Sequence, residues 1–126
     1  MMRRKKMKTR LEAGYELFKQ LHGAHAGDAL VAATSDICPD FADMNAEIGF
    51  GMIFNRPNLD IKTRELIVIS LCAALGDMPG QLCAHIEAAL SCGATKDECV
   101  EAILQVSLYA GFARVSNALR VAKEVF

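Results

Sequence analysis

At 126 residues and a net charge of −1, the chain has the length of one ordinary domain and lacks the strong overall charge of a dedicated nucleic-acid binder. Its composition is 52% hydrophobic, yet no uncharged apolar run approaches the roughly 20 residues of a membrane-crossing helix, which argues against a membrane-spanning protein. So much apolar surface on so short a chain points to contacts between subunits, and a homo-oligomer is expected.

The charge is unevenly placed. Residues 1–10 carry Arg3, Arg4, Lys5, Lys6, Lys8 and Arg10 without an acid, which leaves eight cations against fifteen acids in residues 11–126, a body of net −7. The arm reads as a solvated basic tail ahead of a single domain over 11–126. It has no aromatic interleaving, so no nucleic-acid partner is expected. It also lacks the apolar core of a secretory signal, so a cytoplasmic protein is expected. Cys38, Cys72, Cys83, Cys92 and Cys99 are odd in number and contain no Cys-x-x-Cys pair, which fits buried thiols better than a disulfide scaffold or zinc cage.

Apolar residues recur at helical spacing and no stretch sustains strand-like alternation, so the chain is expected to be all-α. A first helix is predicted over 8–22, with Leu11, Tyr15, Phe18 and Leu21 on one side and Gly23 as its stop. Pro39 suits the first turn of a second helix whose Phe41, Met44, Ile48 and Met52 form a stripe, ending before Pro57. Asp60 is the N-cap of a third helix reaching about Leu75. Because its stretch from Leu66 to Leu75 is apolar all round, this is the expected central helix, covered on every side by its own or a neighbouring subunit. Gly76 and Pro79 separate it from a fourth helix of about residues 80–91, and Gly93 supplies a left-handed stop. Thr95-Lys96-Asp97-Glu98 is a capping box that opens a fifth helix, with Val100, Ile103, Leu104 and Leu108 turned inward. Gly111 bends or breaks the chain before a last helix carrying Val115, Leu119 and Val125.

His85 stands in the fourth helix, one turn after Gln81 and on the same face. An imidazole titrates near neutrality and can protonate a carbanion or enolate, although a lone helical histidine also reads as a buried group bonded to a carbonyl or acid. Cys83 is two residues from His85 and does not face it, which disfavours a Cys-His nucleophile. Glu47 could pair with His85 or be an exposed helix charge. Arg64 could grip a substrate carboxylate or form a structural ion pair with Glu65, and Glu65 could serve as a relay or as that pair's acid. Phe50, Met52, Phe54 and Tyr109 could wall an apolar pocket, or be plain core.

The run Phe50-Gly51-Met52-Ile53-Phe54-Asn55-Arg56-Pro57-Asn58-Leu59-Asp60, the following Arg64-Glu65-Leu66, the lone His85, and Cys92-Gly93-Ala94-Thr95 together resemble the carboxymuconolactone decarboxylase family. The first run is similar to that family's glycine, aromatic, Arg-Pro-Gly-Leu-Asp signature, with Asn58 in the glycine position. Gln81-Leu82-Cys83-Ala84-His85 matches a Glu-Leu-x-x-His segment whose histidine is the functional position, with Gln81 replacing the glutamate. Tyr109-Ala110-Gly111-Phe112-Ala113 matches a tyrosine-glycine-x-proline segment without its proline. The resemblance implies an AhpD-like helical subunit with a central antiparallel hairpin of the third and fourth helices, assembled as a ring-shaped trimer or hexamer. It implies decarboxylase or peroxidase-type chemistry without a cofactor. The peroxidase-like branch places a glutamate near the start of the central helix, where Glu65 aligns, and a Cys-x-x-Cys-x-x-x-His relay. Counted from His85 the cysteine slots hold Met78 and Gln81, and counted from Glu65 they hold Asp77 and Gly80, so neither register supplies a thiol pair.

The expected protein is therefore a decarboxylase-like enzyme for a small carboxylated lactone or related acid, of the 4-carboxymuconolactone type. His85, Glu47 and Glu65 are its candidate catalytic residues, and Arg64, Tyr109, Gln81 and Phe54 its candidate substrate contacts. The alternatives are a peroxidase-like or thiol-disulfide enzyme, and a non-catalytic oligomeric binding protein that Gln81 would favour. No P-loop, dinucleotide fingerprint, zinc spacing or EF-hand pattern occurs, so no nucleotide, metal or other cofactor is expected.

Overall fold

Thr9 starts the first helix: its hydroxyl accepts from the Glu12 amide, leaving α1 to run Arg10–His22 before Gly23, at φ 98°, stops it. These positions come from a computed structural model describing residues 7–126; most of the basic arm, residues 1–6, lies outside the described residues. Among the described residues the regular structure is entirely helical, and no helix is long and apolar enough to cross a membrane. The chain divides into two compact units at residues 57 and 58.

In the N-terminal unit, α1 is followed by α2 (Ala26–Thr34) and α3 (Phe41–Met44), which runs on into a π-helical segment, Asn45–Phe54. The α2 helix was not anticipated from the sequence. It buries no residue, and without an inward stripe its Ala- and Gly-rich run carries little amphipathic signal. The expected stripe on the next helix is reversed. Ala42, Ala46 and Phe50 are the buried residues, whereas Phe41, Met44, Ile48 and Met52 are each at least 41% exposed. A π-helix closes i→i+5 bonds and so has wider turns, and the segment from Asn45 departs from the 3.6-residue period. Small residues on that face let the segment approach α1 closely. A Cβ on Gly14 would stand 1.9 Å from the Ala46 carbonyl oxygen, and one on Gly51 would stand 2.5 Å from that of Arg10. Phe18 stacks on Phe50 with ring centroids 4.6 Å apart.

Tyr15 ties α1 to α3 by donating to Asp43 Oδ1 at 2.6 Å. Burial first, then the acceptor and charge of Asp43, push its phenol from 10.0 up to about 12. The folded state thus holds this proton more tightly than the unfolded chain, so the associated stability is whole below pH 10 and is lost as pH climbs towards 12. Tyr15→Phe should lack this loss: its melting temperature, followed from pH 9 upward, is expected to fall less steeply than that of the wild type. Parallel curves would show that the bond does not hold the helices together.

In the C-terminal unit, α4 (Ile61–Leu75) and α5 (Pro79–Ser91) pack against each other across a three-residue turn, and α6 (Lys96–Leu104), α7 (Ser107–Ala110) and α8 (Phe112–Ala122) complete the unit. The Asp60 side chain accepts from the Thr63 amide at 2.7 Å, which fixes the first turn of α4 and holds that carboxyl below its ordinary value. Both halves of the Thr95 capping box are formed, at 3.0 Å each. Gly111, at φ 86°, breaks the chain between α7 and α8.

Ile69, Ile86, Ile103 and Cys99 are wholly enclosed at the centre of this unit. One expectation needs correction. Leu104 and Leu108 open to solvent, because the fifth helix ends at Leu104 and the chain re-enters as α7 with a changed phase. Helix α4 leaves one row uncovered within the chain: Ile67, Leu71 and Leu75, one turn apart, are 43%, 53% and 63% exposed.

Candidate functional site

The third and fourth predicted helices bring together two of the residues singled out from the sequence. His85 Nδ1 lies 2.7 Å from Glu65 Oε2. Their register follows from local signals. The Asp60 cap sets where α4 begins, placing Glu65, Ile69 and Cys72 on its inner face. Gly76 at φ 72° and Asp77 at φ 58° then turn the chain into α5, whose inward residues include Leu82, Ile86 and Ala89.

Glu65 is fully buried, and His85 keeps 18% of its side chain exposed. The pair is therefore closed behind the carboxylate and open on the imidazole side. Glu65 Oε1 has no hydrogen-bond partner among the described residues, so the contact with His85 through Oε2 is the one that compensates its burial there. A carboxylate on Nδ1 fixes the ring's orientation and favours the neutral tautomer that carries its proton on Nδ1.

The sequence leaves Glu47 either to pair with His85 or to stand as a helix charge; within the C-terminal unit the carboxylate that meets His85 is that of Glu65. Glu47 stands half-buried on the π-helical segment of the N-terminal unit. Glu65 was legible as a relay or as the acid of an Arg64 pair, and not as the partner of His85. Arg64, one residue before, points elsewhere around α4, and its Nε donates to the Leu59 carbonyl at 3.2 Å. Gln81 is exposed one turn before His85, and Tyr109 is fully exposed on α7. Phe54 packs at a tilt on Phe50, 5.6 Å between centroids, in the N-terminal unit.

All five cysteines are free thiols. Burial first, then the charge of Glu65, pushes Cys72 up, and the same two causes lead at Cys92. Burial leads again at Cys83, followed by the charges of Glu124 and Glu87, and at Cys99, followed by Glu98. A thiol must ionise to act as a nucleophile, and each of these four is held away from its thiolate.

The sequence pattern of the carboxymuconolactone decarboxylase family matches residues 39–124, a stretch that contains Glu47, Glu65 and His85. The chain belongs to the carboxymuconolactone decarboxylase family. Within it, a 4-carboxymuconolactone decarboxylase of Acinetobacter baylyi is 33% identical over 117 residues, spanning 93% of this chain and 87% of that protein. An uncharacterized 15.0 kDa protein of Paracoccus denitrificans, from the nqo9-nqo10 intergenic region, is 41% identical over 86 residues, or 68% of this chain and 63% of the relative.

Proposed function

We propose that this family member is a cofactor-independent decarboxylase of a small carboxylated lactone of the 4-carboxymuconolactone type, with His85 as general acid/base and Glu65 as the residue that positions it. The observation that carries this reading is the 2.7 Å contact between His85 Nδ1 and the buried Glu65 carboxylate, in a chain related to a decarboxylase over nearly its whole length. In the reaction the bond to the departing carboxylate breaks, carbon dioxide leaves, and the electron pair passes into the conjugated lactone carbonyl. His85, protonated on both ring nitrogens, then delivers its Nε2 proton to the carbon end of that dienolate and takes a proton back from solvent. Arg64, Gln81 and Tyr109 are proposed to hold the substrate. The four thiols held in their protonated form support a route that does not pass through cysteine.

We further propose a cytoplasmic protein built as a ring-shaped trimer or hexamer around an antiparallel pair formed by α4 and α5. The outward row Ile67, Leu71 and Leu75 supports it, since a row of large apolar side chains on a packed helix is the surface a second copy would cover.

The test is the loss of the lactone's ultraviolet absorbance on adding purified protein. Saturable turnover above the spontaneous rate is expected, with carbon dioxide released in equal amount. A rate equal to the buffer blank would remove this substrate from consideration.

A further inference from the structure

Residues 11–126 carry only eight Lys and Arg, and three of them, Lys96, Arg120 and Lys123, line one cavity of about 510 Å³ between the start of α6 and the end of α8. We propose that this cavity binds an amphipathic anion: an apolar body with a phosphate or carboxylate head.

No acidic side chain lines the cavity, and the Ser116 hydroxyl adds a neutral hydrogen-bonding group. Among the described residues none of the three cations forms an ion pair with an acidic side chain. Helix dipoles account for part of this placement, because Arg120 in the last turn of α8 and Lys123 at its C-cap meet the negative end of that helix. Lys96 has no such reason. It is the first residue of α6, where the dipole disfavours a cation, and its Nζ is instead held 5.4 Å from the centre of the Phe126 ring. An anion bridging Lys96 to Arg120 and Lys123 would relieve that position and satisfy the guanidinium in the bidentate manner it favours.

The remaining wall is apolar, formed by Val100, Leu119, Ala122 and Phe126, and the volume falls within the range that takes a ligand of drug-like size. Inorganic phosphate alone would leave this surface wet. The site therefore fits a ligand with a ring or chain beneath its charged head.

The test is calorimetric titration of the full chain with phenyl phosphate, phthalate and inorganic phosphate, with amide shifts of Ser116 and Leu119 locating the site. Phenyl phosphate or phthalate should bind at least tenfold more tightly than inorganic phosphate, and whichever is preferred identifies the head group. Arg120→Gln with Lys123→Gln, both exposed positions, should weaken binding at least tenfold, and Lys96→Met should weaken it too. Lys19→Gln, on α1, should leave it unchanged. Three results would overturn the proposal: no binding at millimolar ligand, equal affinity for inorganic phosphate, or affinity indifferent to the cavity substitutions. Since binding is read directly, the outcome is independent of the decarboxylase proposal.

Discussion

His85→Ala is expected to lower turnover of the carboxylated lactone by about 10²- to 10⁴-fold, the usual contribution of a positioned general acid. The substitution also strands the Glu65 carboxylate in the interior, and removing one member of a fully buried pair costs about 3–5 kcal/mol. That figure is an upper bound here, because the imidazole keeps 18% exposure and solvent can reach its site. His85→Gln separates the two effects: its amide can still meet Glu65 but cannot carry a proton at neutral pH. A folded His85→Gln protein with wild-type turnover would eliminate His85 as the proton donor. One that melts near the wild-type temperature yet has lost activity would tie the loss to chemistry.

The second large effect is expected at Glu65. Glu65→Gln keeps the volume and one acceptor but loses the charge that stabilises a protonated ring. Where a buried carboxylate orients a catalytic histidine, its amide replacement costs up to about 10⁴-fold in kcat. A drop of about 10²- to 10⁴-fold in kcat with KM nearly unchanged is therefore predicted, since Glu65 lies behind the imidazole and has no route to substrate. Glu65→Asp, which restores the charge at a longer reach, should recover part of it. A merely structural Glu65 would instead lower activity in step with melting temperature, and Asp would give no rescue.

Much of the C-terminal unit was readable because its boundaries rest on local chemistry. Asp60, Thr95 and the glycines at 76, 93 and 111 each act within a few residues of themselves, and each element begins or ends where they predict. The N-terminal unit was less readable for two reasons. Helix α2 buries nothing and so writes no stripe, and the π-helical segment that holds Ile48 and Met52 departs from the 3.6-residue period. At the site, His85 was found as a lone histidine of suitable chemistry. Glu65 was a candidate too, but its pairing with His85 spans twenty positions of sequence, and only the packing of α4 on α5 reveals it.

The raised thiols have a further consequence for how such a chain meets oxidants. Sulfur at Cys72 and Cys99 is shielded twice, by burial and by neighbouring negative charge, so attack on it waits for the helices to part. The lifetime of these thiols in an oxidising medium is then governed by the opening equilibrium of the C-terminal unit, and damage accumulates first in whichever molecules are already coming apart.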